Sequence, residues 1–122
     1  MKLHLNEQSE LNIFTGYGES YLRINNRHYT NNLIVTPHEI LTWEVHSFST
    51  LQADHFELLL PLRPEIVLFG SGPILRFPAP QLIYPLNNAK ISIEVMDTRA
   101  ACRTYNILLA EGRRVLAAVL LP

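Results

Sequence analysis

The densest collection of charged and reactive side chains in this chain is the run Asp97-Thr98-Arg99-Ala100-Ala101-Cys102-Arg103-Thr104-Tyr105-Asn106. Arg99, Arg103 and Asn106 stand at i, i+4 and i+7, so on a helix they share one face. Asp97 or Thr98 is the kind of residue that caps a helix start. A helix opening there presents free N–H groups and a partial positive charge. Upstream, Gly70-Ser71-Gly72 follows the apolar run Ile66-Val67-Leu68-Phe69. If the fold joins that turn to the helix start, Gly70, Ser71, Gly72, Asp97, Thr98, Arg99, Arg103 and Asn106 form a polar site for a carboxylate, a phosphate or an acidic peptide. The plainer alternative is that Asp97 only caps, and that the arginines line a solvated face opposite a buried stripe.

Other chemistry finds less support. The glycine turn departs from a dinucleotide fingerprint: the third glycine is absent, Pro73 removes a donor, and no helix opens there. Cys102 is the only cysteine, so no disulfide forms within the chain. Arg99 and Arg103 could lower its pKa, but no histidine is placed to act as its base, and small-residue packing is the competing role. The five histidines are scattered, and with one cysteine they assemble no zinc spacing. Glu94 and Glu111 lack a second carboxylate at a recognisable spacing. No catalytic residue, metal or cofactor is expected, and the balance leans against an enzyme.

The elements that must position these residues follow from pattern. One domain of 122 residues is long enough to bury a core without staples. It is expected to have a β-rich half over 1–46 and an alternating half over 49–122. Leu11-Asn12-Ile13-Phe14 starts a strand that Gly16-Tyr17-Gly18 closes. Tyr21–Ile24 alternates with period two, and Asn25-Asn26 turns it into Arg27–Thr30 as a tight hairpin. Leu33–Thr36 is a short strand, and Leu41, Trp43 and Val45 alternate as a half-buried one. Trp43 and tyrosines 17, 21 and 29 read better as cross-strand packing than as an exposed aromatic surface.

From Ser49 the period changes. Ser49 and Gln52 stand at capping-box spacing, with Leu51, His55, Leu58 and Leu59 on one helical face until Pro61 and Pro64. Glu65–Phe69 is a strand buried on both faces. A short helix over about Pro80–Leu86 and the turn Asn87-Asn88 lead to the strand Ile91–Val95. The helix capped at Asp97 or Thr98 runs to about Glu111 with Ala101, Tyr105, Leu108 and Leu109 inward, and Gly112 stops it. Val115–Leu121 is the last strand. This order predicts an α/β layered domain: a central mixed sheet covered by helices, with a smaller antiparallel β portion. Strands 65–69 and 91–95 are expected to be parallel.

Charge and hydropathy narrow the partners. A formal charge of −1 argues against nucleic acid and anionic membrane surfaces. The start Met1–Glu7 lacks the apolar core of a signal peptide, and the longest apolar run falls far short of the ~18 residues that suggest a membrane span. The expected location is cytoplasmic, without membrane insertion; a homo-oligomer stays open.

Phe69-Gly70-Ser71-Gly72, Glu94-Val95-Met96-Asp97-Thr98, Ala100–Leu108 and Glu111-Gly112-Arg113 resemble a family of small domains of unknown function. That family includes mitochondrial NADH dehydrogenase (complex I) assembly factor 3 and the adipogenesis-associated domain protein of animals. The resemblance spans about Ile13 to Leu121. It implies a layered α/β domain, which agrees with the pattern, and protein partners met by contact during assembly. It supplies no catalytic residues. The chain looks like a bacterial-type member. A non-enzymatic, assembly-factor-like binding module is therefore the leading expectation. The alternative is a small-ligand binder or enzyme using a cleft between Gly70-Ser71-Gly72 and Asp97-Thr98-Arg99.

Overall fold

The computed structural model describes residues 10–122. Along them run β1 (Phe14–Gly18), β2 (Tyr21–Ile24), β3 (Arg27–Tyr29), β4 (Leu33–Val35), β5 (Ile40–Thr42), α1 (Ala53–Glu57), β6 (Ile66–Gly70), α2 (Pro80–Asn88), β7 (Ser92–Met96), α3 (Thr98–Ala110) and β8 (Val115–Val119). Short 3-10 turns at Phe48–Thr50 and Leu60–Leu62 flank α1.

The main sheet has the order β5-β4-β8-β6-β7. β6 runs parallel to both β7 and β8, while β4 is antiparallel to β8 and β5, so the sheet is mixed as expected. The connection β6-α2-β7 steps to one side of β6, and β7-α3-β8 steps back over it to the other. Two crossovers of one hand that run in opposite directions must put their helices on opposite faces. They do. Ile66, Leu68, Val115, Ala117 and Val119 face α3, and Val67, Phe69, Leu116 and Ala118 face α1 and α2. Every residue of β6 and β8 is buried, which is why both read as near-continuous apolar runs.

The second sheet, β1-β2-β3, is antiparallel. Asn25 and Asn26 both take positive φ (49° and 68°), the conformation a two-residue hairpin with the strands' twist requires. This sheet lays Phe14, Leu22 and Ile24 on the same core as Ala101 and Tyr105 of α3. Asn106 makes the joint: its Oδ1 accepts from the Phe14 N–H at 2.9 Å and its Nδ2 donates to the Phe14 carbonyl at 2.8 Å.

α3 starts and stops as its sequence dictates. The Asp97 carboxylate accepts from the Ala100 N–H at 3.0 Å. At the other end Gly112 (φ 79°) and Arg113 donate back to Leu109 and Leu108, the double bond pattern of a glycine-terminated helix.

Four expectations change. α2 runs on through Asn87 and Asn88, expected as a turn, and the chain turns at Ala89 and Lys90 (φ 62°) instead. β1 begins at Phe14 and runs through Gly16 and Gly18 rather than ending there. A Cβ on Gly16 would stand 2.7 Å from Nη2 of Arg23, its cross-strand partner, so that glycine makes room for a neighbour and belongs to the strand. The strand expected over Leu41–Val45 stops at Thr42. Beyond it the side chain of Asn32 replaces a neighbouring strand, donating to the Val45 carbonyl at 2.8 Å while the Asn32 carbonyl accepts from Trp43 N–H. Trp43 is buried, edge-on to Phe56 and Phe69.

The helix expected from Ser49 is instead broken into pieces. Leu51 is extended and separates the first 3-10 turn from α1. α1 opens where His55 Nδ1 accepts from the Gln52 N–H at 2.9 Å. Leu51, Phe56 and Leu59 are buried while Leu58 is exposed, so the inward face is not the Leu51/His55/Leu58/Leu59 set.

Removing the Asn106 amide leaves a strand N–H and C=O unpaired against the helix. Asn106→Ala is expected to cost about 1–3 kcal/mol, read as a lower urea midpoint at unchanged slope.

Candidate binding site at the strand-end edge

Because β6 and β7 are parallel, the Gly-Ser-Gly turn and the start of α3 meet at one edge. The Ser71 N–H donates to the Met96 carbonyl at 2.9 Å, and the Thr98 N–H donates to the Gly72 carbonyl at 3.0 Å. The fully buried Thr98 hydroxyl accepts from the Gly72 N–H at 2.8 Å and donates to the Leu120 carbonyl at 2.6 Å. One side chain thus ties the ends of β6, β7 and β8 together. A Cβ on Gly70 would lie 2.9 Å from the Thr98 Oγ and 2.7 Å from Val119 Cγ1, so glycine is what lets α3 come this close.

Turn and helix start are therefore bonded directly to each other. The open space lies on the other side of the turn, in a cleft of about 650 Å³. Ser71, Gly72, Leu120 and Leu121 form one boundary, the segment Thr42–Phe48 another, and Arg76 also lines it.

Of the residues singled out from sequence, Ser71 and Gly72 line this cleft, and Gly70 and Thr98 back it through the contacts above. Asp97 caps α3. Arg99 and Arg103 come together elsewhere, at Tyr17 on β1. The Arg99 Cζ lies 5.4 Å from the Tyr17 ring centroid, and Arg103 Nη1 donates to the Tyr17 hydroxyl at 2.9 Å. Asn106 is spent on Phe14.

Sequence reasoning passed over Arg76. Its Cζ sits 4.6 Å from the centroid of the Phe48 ring, a cation–π contact. The buried Ser71 hydroxyl fixes the loop that carries it, donating to the Ile74 carbonyl at 2.7 Å and accepting from the Arg76 N–H at 3.0 Å. A signal was present: between Glu65 and Lys90, Arg76 is the only charged residue. Glu44 and His46, exposed across the cleft, were hidden in the alternation read as a strand.

Cys102 is buried under α3, and burial pushes its thiol up to about 12, with Asp97 adding and Arg103 opposing. That is the reverse of a nucleophile's requirement. Burial also raises the Tyr105 hydroxyl, which donates to the Asn12 carbonyl at 3.0 Å. Among the described residues no group of histidines, cysteines and carboxylates could hold a metal ion, and no helix is long and apolar enough to cross a membrane.

Fold and site together define a small α/β domain with a turn-and-threonine clamp. Residues 14–120 match the family described as "Protein of unknown function (DUF498/DUF598)", and the chain belongs to it. It is 33% identical, over 96% of its length, to a Drosophila melanogaster protein named "NADH dehydrogenase [ubiquinone] 1 alpha subcomplex assembly factor 3", of which it spans 63%, just under two thirds. It is 29% identical, over 84% of its length and 85% of the other's, to the "13 kDa major membrane protein" of Francisella tularensis. The solution structure of a Bordetella pertussis protein called an Mth938-like domain superposes with a TM-score of 0.78 at 30% identity, covering 92% of this chain and 87% of that one.

Thr98→Val keeps the shape but orphans a buried N–H and a buried C=O. A loss of about 2–5 kcal/mol is expected, with Thr98→Ser close to wild type, in urea unfolding. Cys102 binds its proton more tightly folded than unfolded, so its contribution is intact below pH 9.0 and is lost as pH climbs toward about 12. Stability measured across that range is expected to fall, and Cys102→Ala to soften the fall while Tyr105 preserves part of it.

Proposed function

We propose that this chain is a non-enzymatic binding module of the assembly-factor type, which works by holding a protein partner. The observation that carries this reading is the loop between the Gly-Ser-Gly turn and α2. There Ile74, Leu75 and Phe77 are 59%, 52% and 69% exposed, three large apolar side chains in four positions, a cluster of the kind that marks contact surfaces. Ser71 pins the loop backbone from beneath. A pinned loop loses little entropy on docking, which favours affinity. Tyr84 on α2, 61% exposed, adds an aromatic of the kind enriched at interface centres.

The assembly-factor name of the Drosophila relative supports the reading at that coarse level. We place this action in the cytoplasm, on a protein partner. The Francisella relative's name makes membrane-associated protein the first place to look for that partner.

The test is affinity capture from the native host with the tagged chain, alongside a double variant, Ile74→Ser with Phe77→Ser. Both positions are exposed, so thermal stability should hold. A stoichiometric partner recovered by wild type and lost by the variant is the expected outcome. Equal recovery by both chains would remove this loop as the docking surface.

A further inference from the structure

The cleft beside the turn carries a different kind of chemistry from the loop. None of Ile74, Leu75 and Phe77 lines it. Its volume, about 650 Å³, falls in the range of small-molecule sites. Its two charged residues have opposite signs: Arg76 on the loop side and Glu44 on the Thr42–Phe48 side. They are not paired with each other. Among the described residues the one ion pair is Arg113–Glu65, at the far end of β6 and β8.

Phe48 holds the Arg76 guanidinium by its face, which leaves the planar N–H edge free to donate. Glu44 makes no hydrogen bond through its carboxylate among those the described residues form, and it is exposed. Apolar residues, among them Phe48, Pro73 and Leu121, line the same cleft beside these charges.

Opposite charges that share a cleft without meeting match a ligand that carries both. A simple anion would gain Arg76 but face Glu44, and a simple cation the reverse. We propose that this cleft binds a small zwitterion of the α-amino-acid type. Its carboxylate pairs with Arg76, its ammonium with Glu44, and an apolar side chain lies against the cleft's apolar lining. Carboxylate–guanidinium pairing of this kind is charge-assisted and can be bidentate.

The experiment titrates isotope-labelled protein with the free apolar and aromatic L-amino acids up to about 10 mM, a concentration that reveals the weak end of specific affinities. Saturable shifts are expected for at least one of them, largest at the amides of Gly72, Asn31 and Leu121. The N-acetyl and carboxamide forms of that amino acid, each lacking one charge, should bind at least about tenfold more weakly. Arg76→Gln and Glu44→Gln should each do the same while keeping the wild-type melting temperature. No saturable shift with any free amino acid would overturn the proposal. So would blocked forms, acetate or inorganic phosphate binding as tightly as the free amino acid. These comparisons use wild-type protein, so they hold whether or not a variant folds.

Discussion

The Thr98 hydroxyl is the point on which the strand-end edge depends. It lies where three strand ends and a helix start compete for the same buried space. One oxygen that both accepts and donates settles two of those groups at once. Gly70 is its necessary companion, since any side chain there would push α3 away. With the helix held at this distance, the buried Gly-Ser-Gly turn packs directly against it. Ser71 can then brace the following loop, and Arg76 can reach Phe48. Both the apolar loop and the charged cleft are downstream of that one contact.

This arrangement also accounts for what the edge presents to solvent. The parallel strands β6, β7 and β8 end together, the place where open α/β sheets gather ligands. The groups that would make such an edge reactive are otherwise engaged. Glycine N–H groups are bonded to threonine and backbone, Asp97 is a cap, and the one thiol is buried and hard to ionise. What stays exposed is apolar surface and two unpaired charges, which is recognition chemistry.

The second half of the fold was legible because its signals are local. β6 and β8 are covered on both faces and so are apolar throughout. α3 has an acidic cap, a stripe at helical spacing and a glycine stop, each within a few residues of the others. The parallel pairing of β6 and β7, and the meeting of turn and helix start, followed from connection rules. What stayed hidden was long-range. Asn106 looked like a third member of an arginine face, but its partner is a backbone group 92 residues away. Asn32 substitutes for a strand beside Trp43, which no period in the sequence could show. Arg99 and Arg103 shared a face as the spacing required, yet the face meets Tyr17 of a sheet whose position over α3 is a tertiary fact.

Asn106 also has a consequence for what the protein avoids. By engaging both backbone groups of Phe14, it behaves like one residue of a further strand laid along β1. An edge strand with free N–H and C=O groups is a template for pairing with another chain. Here a helix side chain occupies that template at Phe14, the first residue of β1. The large sheet ends in β7 without such cover, and there the exposed Glu94 puts a charge in the middle of the edge strand. A side-chain plug thus covers the start of one edge strand, and a charge marks the middle of another.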